Sequence, residues 1–144
     1  MDSLLVYRAN RYSIKGKQHL ATLEKYYVAD IGFRQFLLGS GRTDQGYILE
    51  NMVFLELLRR GNEVFVGQLP YGEVDFVAQN SDGLTYYQVA ATVLDENTKR
   101  RELAPLEKIK DHHLKILLTL DEAGARDNHN GIRQFNALDW MLKQ

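Results

Sequence analysis

The residues of this chain able to do chemistry together gather in the stretch GEVDFVAQNSDGLTYYQVAAT, Gly72 to Thr92, and in one glutamate upstream of it. The turn signal NSDG separates two strand-like runs, and a hairpin closed there sets Gln79 opposite Leu84. Counting back in antiparallel register brings Asp75 across from Gln88, with Cβ atoms about 4.5–5.5 Å apart, close enough to share one ligand. Gln88 and Ala90 lie two apart and are expected on one strand face. Glu50 falls on the helical face of Val53, Phe54 and Leu57, where a buried carboxylate must hold a metal, accept hydrogen bonds, pair with a cation or carry a proton. Gln88 can offer a ligand only a neutral carbonyl, and oxygen donors such as these suit a hard divalent cation such as Mg2+ or Mn2+.

The elements that must position these groups follow from pattern. Residues 4 to 28 are expected to form a hairpin around the polar turn KGKQ, and ADIGFRQFLLG to form a short helix ending at Gly39. Tyr47 to Arg60, apolar on nearly every face, predicts a helix buried against much of the protein and ending at Gly61. NEVFVGQL, EVDFVAQ and LTYYQVAA predict three strands. A helical region is expected from Asp95 to about Asp111, interrupted or restarted at Pro105. LKILLTL predicts a strand covered on both faces, and GIRQFNALDWML a last strand with Asn136 capping a terminal helix. That order implies an α/β domain with a mixed sheet and helices packed on it.

Composition narrows the function classes. With 144 residues the chain suits one globular core, and with no cysteine it has neither disulfides nor thiolate metal sites. No apolar run approaches the roughly 20 residues that span a bilayer, so no membrane partner is expected and a cytoplasmic location is. A net charge of -1 offers no global argument for nucleic acid, leaving local patches: Arg8, Arg11, Lys15 and Lys17, and Lys99, Arg100 and Arg101 with Lys108 and Lys110. Of these, Lys99, Arg100 and Arg101 are the candidate phosphate contacts. Glu73, two residues from Asp75 and on its face, is read as a solvated strand residue, with an extra ligand as the alternative. His112 and His113, being adjacent, diverge and suit a shared metal poorly.

Glu50 on a buried helix, EVDFVA and YYQVA resemble the restriction-endonuclease-like core of the PD-(D/E)XK family. In that family a helix carboxylate and an aspartate help to hold divalent metal, and an acid and a lysine two apart on the next strand complete the site. Over about Arg11 to Leu142, through RYSIKGK, KYYVADIGFRQFLLG, GYILENMVFLELLRRG and YYQVAATVLDENTKRRELAPLEKIKD, the chain resembles the C-terminal domain of prokaryotic AAA-type ATP-binding proteins. The resemblance implies residues 1–30 as a hairpin similar to the wing of a winged helix and residues 31–144 as the nuclease-like domain. It also implies an ATPase domain of the same parent as partner, with ATP bound only there. Gln88 stands where a nuclease has its second acid, and Ala90 where it has its lysine.

These departures lead to the expectation of a catalytically degenerate module, binding DNA or a protein partner, whose relic site is Glu50, Asp75 and Gln88. The alternatives are an active Mg2+-dependent nuclease that recruits a lysine such as Lys99 or Lys108, and a regulatory or oligomerisation domain without nucleic-acid contact.

Overall fold

The computed structural model describes residues 6–29 and 45–143, for 21–23 the backbone alone. The helix expected over ADIGFRQFLLG lies outside these residues, apart from its first position. Among the described residues, eight strands form one mixed sheet in the order β2-β1-β3-β4-β5-β6-β8-β7. They are β1 (Val6–Ser13), β2 (Gln18–Val28), β3 (Glu63–Leu69), β4 (Gly72–Asn80), β5 (Gly83–Val89), β6 (Leu114–Thr119), β7 (Asn128–His129) and β8 (Ile132–Asn136). Helices α1 (Gln45–Arg59) and α3 (Ala137–Leu142) pack on one face, and α2 (Glu96–Glu107) covers the other.

Alternation along the central strands explains the two layers. Tyr87 and Val89 on β5, with Ile116 and Leu118 on β6, join Val53, Phe54 and Leu57 of α1. Their neighbours Tyr86, Ala90 and Leu117 join Leu103 and Leu106 of α2. β6 lies between parallel partners β5 and β8, so its Ile116, Leu117, Leu118 and Thr119 are all buried, as a strand covered on both faces requires, while Leu114 at its start is exposed.

The N-terminal hairpin is part of the sheet, because β1 pairs in parallel with β3. α1 ties down β2 through Asn51, a buried amide among the helix's apolar core residues. Its side chain accepts from the Val28 N–H at 3.0 Å and donates to the Val28 carbonyl at 2.8 Å. A buried amide at that site needs such partners, and an outer strand gains an anchor.

Two boundaries differ from the sequence reading. Pro105 neither interrupts nor restarts its helix, which runs unbroken from Glu96 to Glu107. Proline there removes one hydrogen bond near the C-terminal end, and the buried Leu103 and Leu106 on either side hold the helix on the sheet. Two-residue β7, pairing with β8, was not anticipated from the polar segment that contains it.

The β3–β4 ladder carries one irregularity that matters for the site. Phe65 pairs with Val77 and Gly67 with Val74, so Asp75 and Phe76 together oppose Val66. This β-bulge places Val74 and Phe76 in different apolar layers, although the plain sequence pattern puts them on one face. Gly67 closes the bulge: a Cβ there would lie 2.8 Å from Ile14 Cδ1 and 3.1 Å from Val74 Cβ. Gly67→Ala is therefore expected to destabilise the fold by about 1–3 kcal/mol, read from urea unfolding, with no loss when Gly72 receives the same change.

Candidate functional site

Asp75 and Gln88 meet as the hairpin register requires, immediately beyond the last ladder pair, Phe76 with Tyr87. Here side chains replace the ladder. The Asp75 backbone N–H donates to Gln88 Oε1 at 2.8 Å, and the Val89 N–H donates to Asp75 Oδ2 at 2.8 Å. Each strand thus lends the other a side-chain acceptor where the bulge has pulled the backbones out of step. Gln88 is buried, and its carbonyl oxygen, the atom able to face a cation, is committed to β4.

Glu50 reaches the same region from α1 and is also engaged. Tyr27 Oη donates to Glu50 Oε2 at 2.9 Å, and Lys25 Nζ lies 3.8 Å from that oxygen. Lys25 also lies 3.2 Å from Glu73 Oε1, and Arg11 donates to Glu73 Oε2 at 2.7 Å and to Gln68 Oε1 at 2.9 Å. Glu73 is therefore an ion-paired, partly buried residue, which corrects its reading as a solvated strand position. Ala90 lies buried in the α2 layer with Tyr86, Val93 and Leu103, so the position of the missing lysine is core.

The electrostatics follow from this crowding of acids. Burial and the neighbouring Glu50 charge push the Asp75 carboxyl well above the usual carboxylate range, against the pull of the Val89 N–H and Lys25. Burial and Glu50 also raise Glu102, on α2. Lys25, though burial opposes its charge, is raised by Glu50, Glu73 and Asp75, and Glu73 is lowered, despite burial, by Arg11 and Lys25. Arg11 and Lys25 thus offset much of the acidity.

Among the described residues, no three His, Asp or Glu side chains are arranged to hold a metal ion. One oxygen each of Glu50, Asp75 and Gln88 is engaged, by the Tyr27 hydroxyl, the Val89 N–H and the Asp75 N–H in turn, so these three side chains are not a ready-made ligand set for Mg2+ or Mn2+ among the described residues. Neither lysine offered from the sequence serves here. Lys99 pairs with Glu96 at 3.2 Å, and Lys108 lines a separate groove with Ile14, Leu69 and Tyr71. Arg100 and Arg101 are exposed on α2. His112 and His113 are exposed, and His113 stands edge-on to Tyr86.

Sequence reasoning missed Lys25, Tyr27 and Asn51, and counted Arg11 in a basic patch where the structure pairs it with Glu73. The one local signal was Asn51, a polar residue inside an apolar helix. The others come from a hairpin whose docking against β3 no local pattern reveals.

No protein-family model matches the chain, and no solved structure matches it. It is 39% identical over 142 residues to an uncharacterized protein of Haemophilus influenzae, covering 99% of this chain and 34% of that protein. It is 38% identical over 134 residues to an uncharacterized protein of Methanocaldococcus jannaschii, covering 84% of this chain and 28% of that one. The chain thus spans about a third of the length of these relatives.

A pH dependence follows from Asp75. Folding binds its proton more tightly than the unfolded chain does, so its contribution to stability is present below the ordinary carboxylate value of about 4 and is lost as pH rises through the raised value. Asp75→Asn keeps an acceptor for Val89 without the charge, and is expected to flatten this fall and to match or exceed the native stability at pH 7. Asp75→Ala orphans the Val89 N–H and is expected to cost about 1–3 kcal/mol. Urea midpoints of the three proteins across the acid range check both statements.

Proposed function

We propose that this chain is a catalytically degenerate, restriction-endonuclease-like module that works by binding, carried in a longer protein with an AAA-type ATP-binding domain. One observation carries the reading. Asp75 Oδ2 and Gln88 Oε1 are each spent on the other's strand, and Ala90, at the lysine position, is packed into the core. A hydrolytic site needs those oxygens and a cation facing a phosphate, and here they close a bulge instead. The large mixed sheet flanked by helices agrees with such a fold, as the N-terminal hairpin agrees with a wing. Relatives about three times as long agree with a module inside a larger chain. DNA or a protein partner is the ligand class proposed for the module, and the ATPase domain its covalent neighbour.

One observation favours a second reading, an active metal-dependent nuclease. Lys25 brings an ammonium group to Glu50 and Glu73 and would stand in for the lysine missing at Ala90.

Incubation with supercoiled and single-stranded DNA in Mg2+ or Mn2+ separates the two. The expected result is no cleavage above the level of Asp75→Asn, a variant that preserves the bulge. Turnover that vanishes in both Asp75→Asn and Lys25→Ala would overturn the degenerate reading.

A further inference from the structure

A groove of about 440 Å3 lies between the β1–β2 turn, the β3–β4 turn and the segment after α2. Its floor is aliphatic: Ile14, Leu69 and Ile109 are core residues of the α2 layer, and Pro70 extends them. Its rim is basic, with Lys15, Lys17, Lys108 and Lys110 against the single acid Asp111. On a chain of net charge -1 this concentration of lysine is local.

The walls are fixed to one another. Lys17 Nζ lies 2.6 Å from Asp111 Oδ2 and 3.0 Å from the Tyr86 hydroxyl, which itself donates to Asp111 Oδ2 at 2.6 Å. Although burial opposes its charge, Lys17, Tyr86 and the His113 N–H lower Asp111 to about 2. Asp111 is therefore ionised at neutral pH and already neutralised by Lys17. The surplus falls on the other three lysines. The side chains of Lys15 and Lys108 make no ion pair or hydrogen bond among the described residues, and that of Lys110 makes only a 3.4 Å contact with the Glu107 carbonyl. Tyr71 stands at the lip, 90% exposed.

From this complementarity we propose that the groove binds an acidic peptide segment carrying one apolar anchor side chain. The anchor enters the aliphatic floor, and flanking Asp or Glu residues meet Lys15, Lys108 and Lys110. Single-stranded nucleic acid fits less well, because stacking needs successive aromatic faces and the groove offers one tyrosine. This names the partner for the binding module proposed above, but uses none of the groups around Asp75.

The test is fluorescence anisotropy at low salt with a labelled Asp/Glu peptide bearing a central Leu-Phe anchor. Its controls are the same peptide with Ser-Ser at the anchor and an oligo-dT strand as competitor. The expected result is saturable binding that weakens by about tenfold or more for the anchorless peptide and again for the surface double variant Lys15→Glu/Lys108→Glu. Absence of binding, equal affinity for the anchorless peptide, or displacement by oligo-dT at concentrations below those of unlabelled peptide would overturn the proposal. Peptide binding and DNA cleavage are separate readouts, so the failure of either leaves the other standing.

Discussion

The bulge at Asp75 and Phe76 is the constraint on which the rest of the site depends. Two residues of β4 must be accommodated opposite one of β3, and the ladder between β4 and β5 ends at the same level. Backbone N–H groups left there without acceptors would each cost about 1–3 kcal/mol. Gln88 serves the N–H of Asp75, and Asp75 serves that of Val89. Replacing Gln88 by an acid would keep an acceptor but add a negative charge beside Asp75, whose proton affinity burial and Glu50 have already raised. The amide is the neutral solution to the same backbone problem.

The surrounding charges belong to the assembly of the sheet. β1 supplies Arg11, β2 supplies Lys25 and Tyr27, and α1 supplies Glu50 and, one residue later, Asn51, which holds Val28. Adjacent residues of one helix thus grip one strand by a carboxylate and by an amide. A cation brought by the hairpin balances acids on α1 and β4, so hairpin docking and the ionisation of the site are coupled.

Much of this was legible in the sequence. The β4–β5 register followed from the NSDG turn, and Asn136 caps the terminal helix by accepting from the Asp139 N–H, as its position suggested. The mixed sheet flanked by helices followed from element order. What could not be read has physical causes. Alternation of Val74 and Phe76 looks the same with or without a bulge, and only their separation into two layers reveals it. The Lys25 and Arg11 pairs span many residues and depend on parallel β1–β3 pairing, for which no local signal exists. The helix continues through Pro105 because Leu103 and Leu106 are buried on the sheet, a tertiary property that local propensity does not carry.

The most direct measurement of whether Asp75 and Gln88 form a closed structural clamp is paramagnetic broadening in the 15N-labelled chain on adding substoichiometric Mn2+. The result expected is that the amide resonances of Asp75, Gln88 and Val89 keep their intensity relative to the remainder of β4 and β5. Selective loss of those three signals, reversed by a chelator, would place a cation among the oxygens assigned here to the strands and would contradict the clamp.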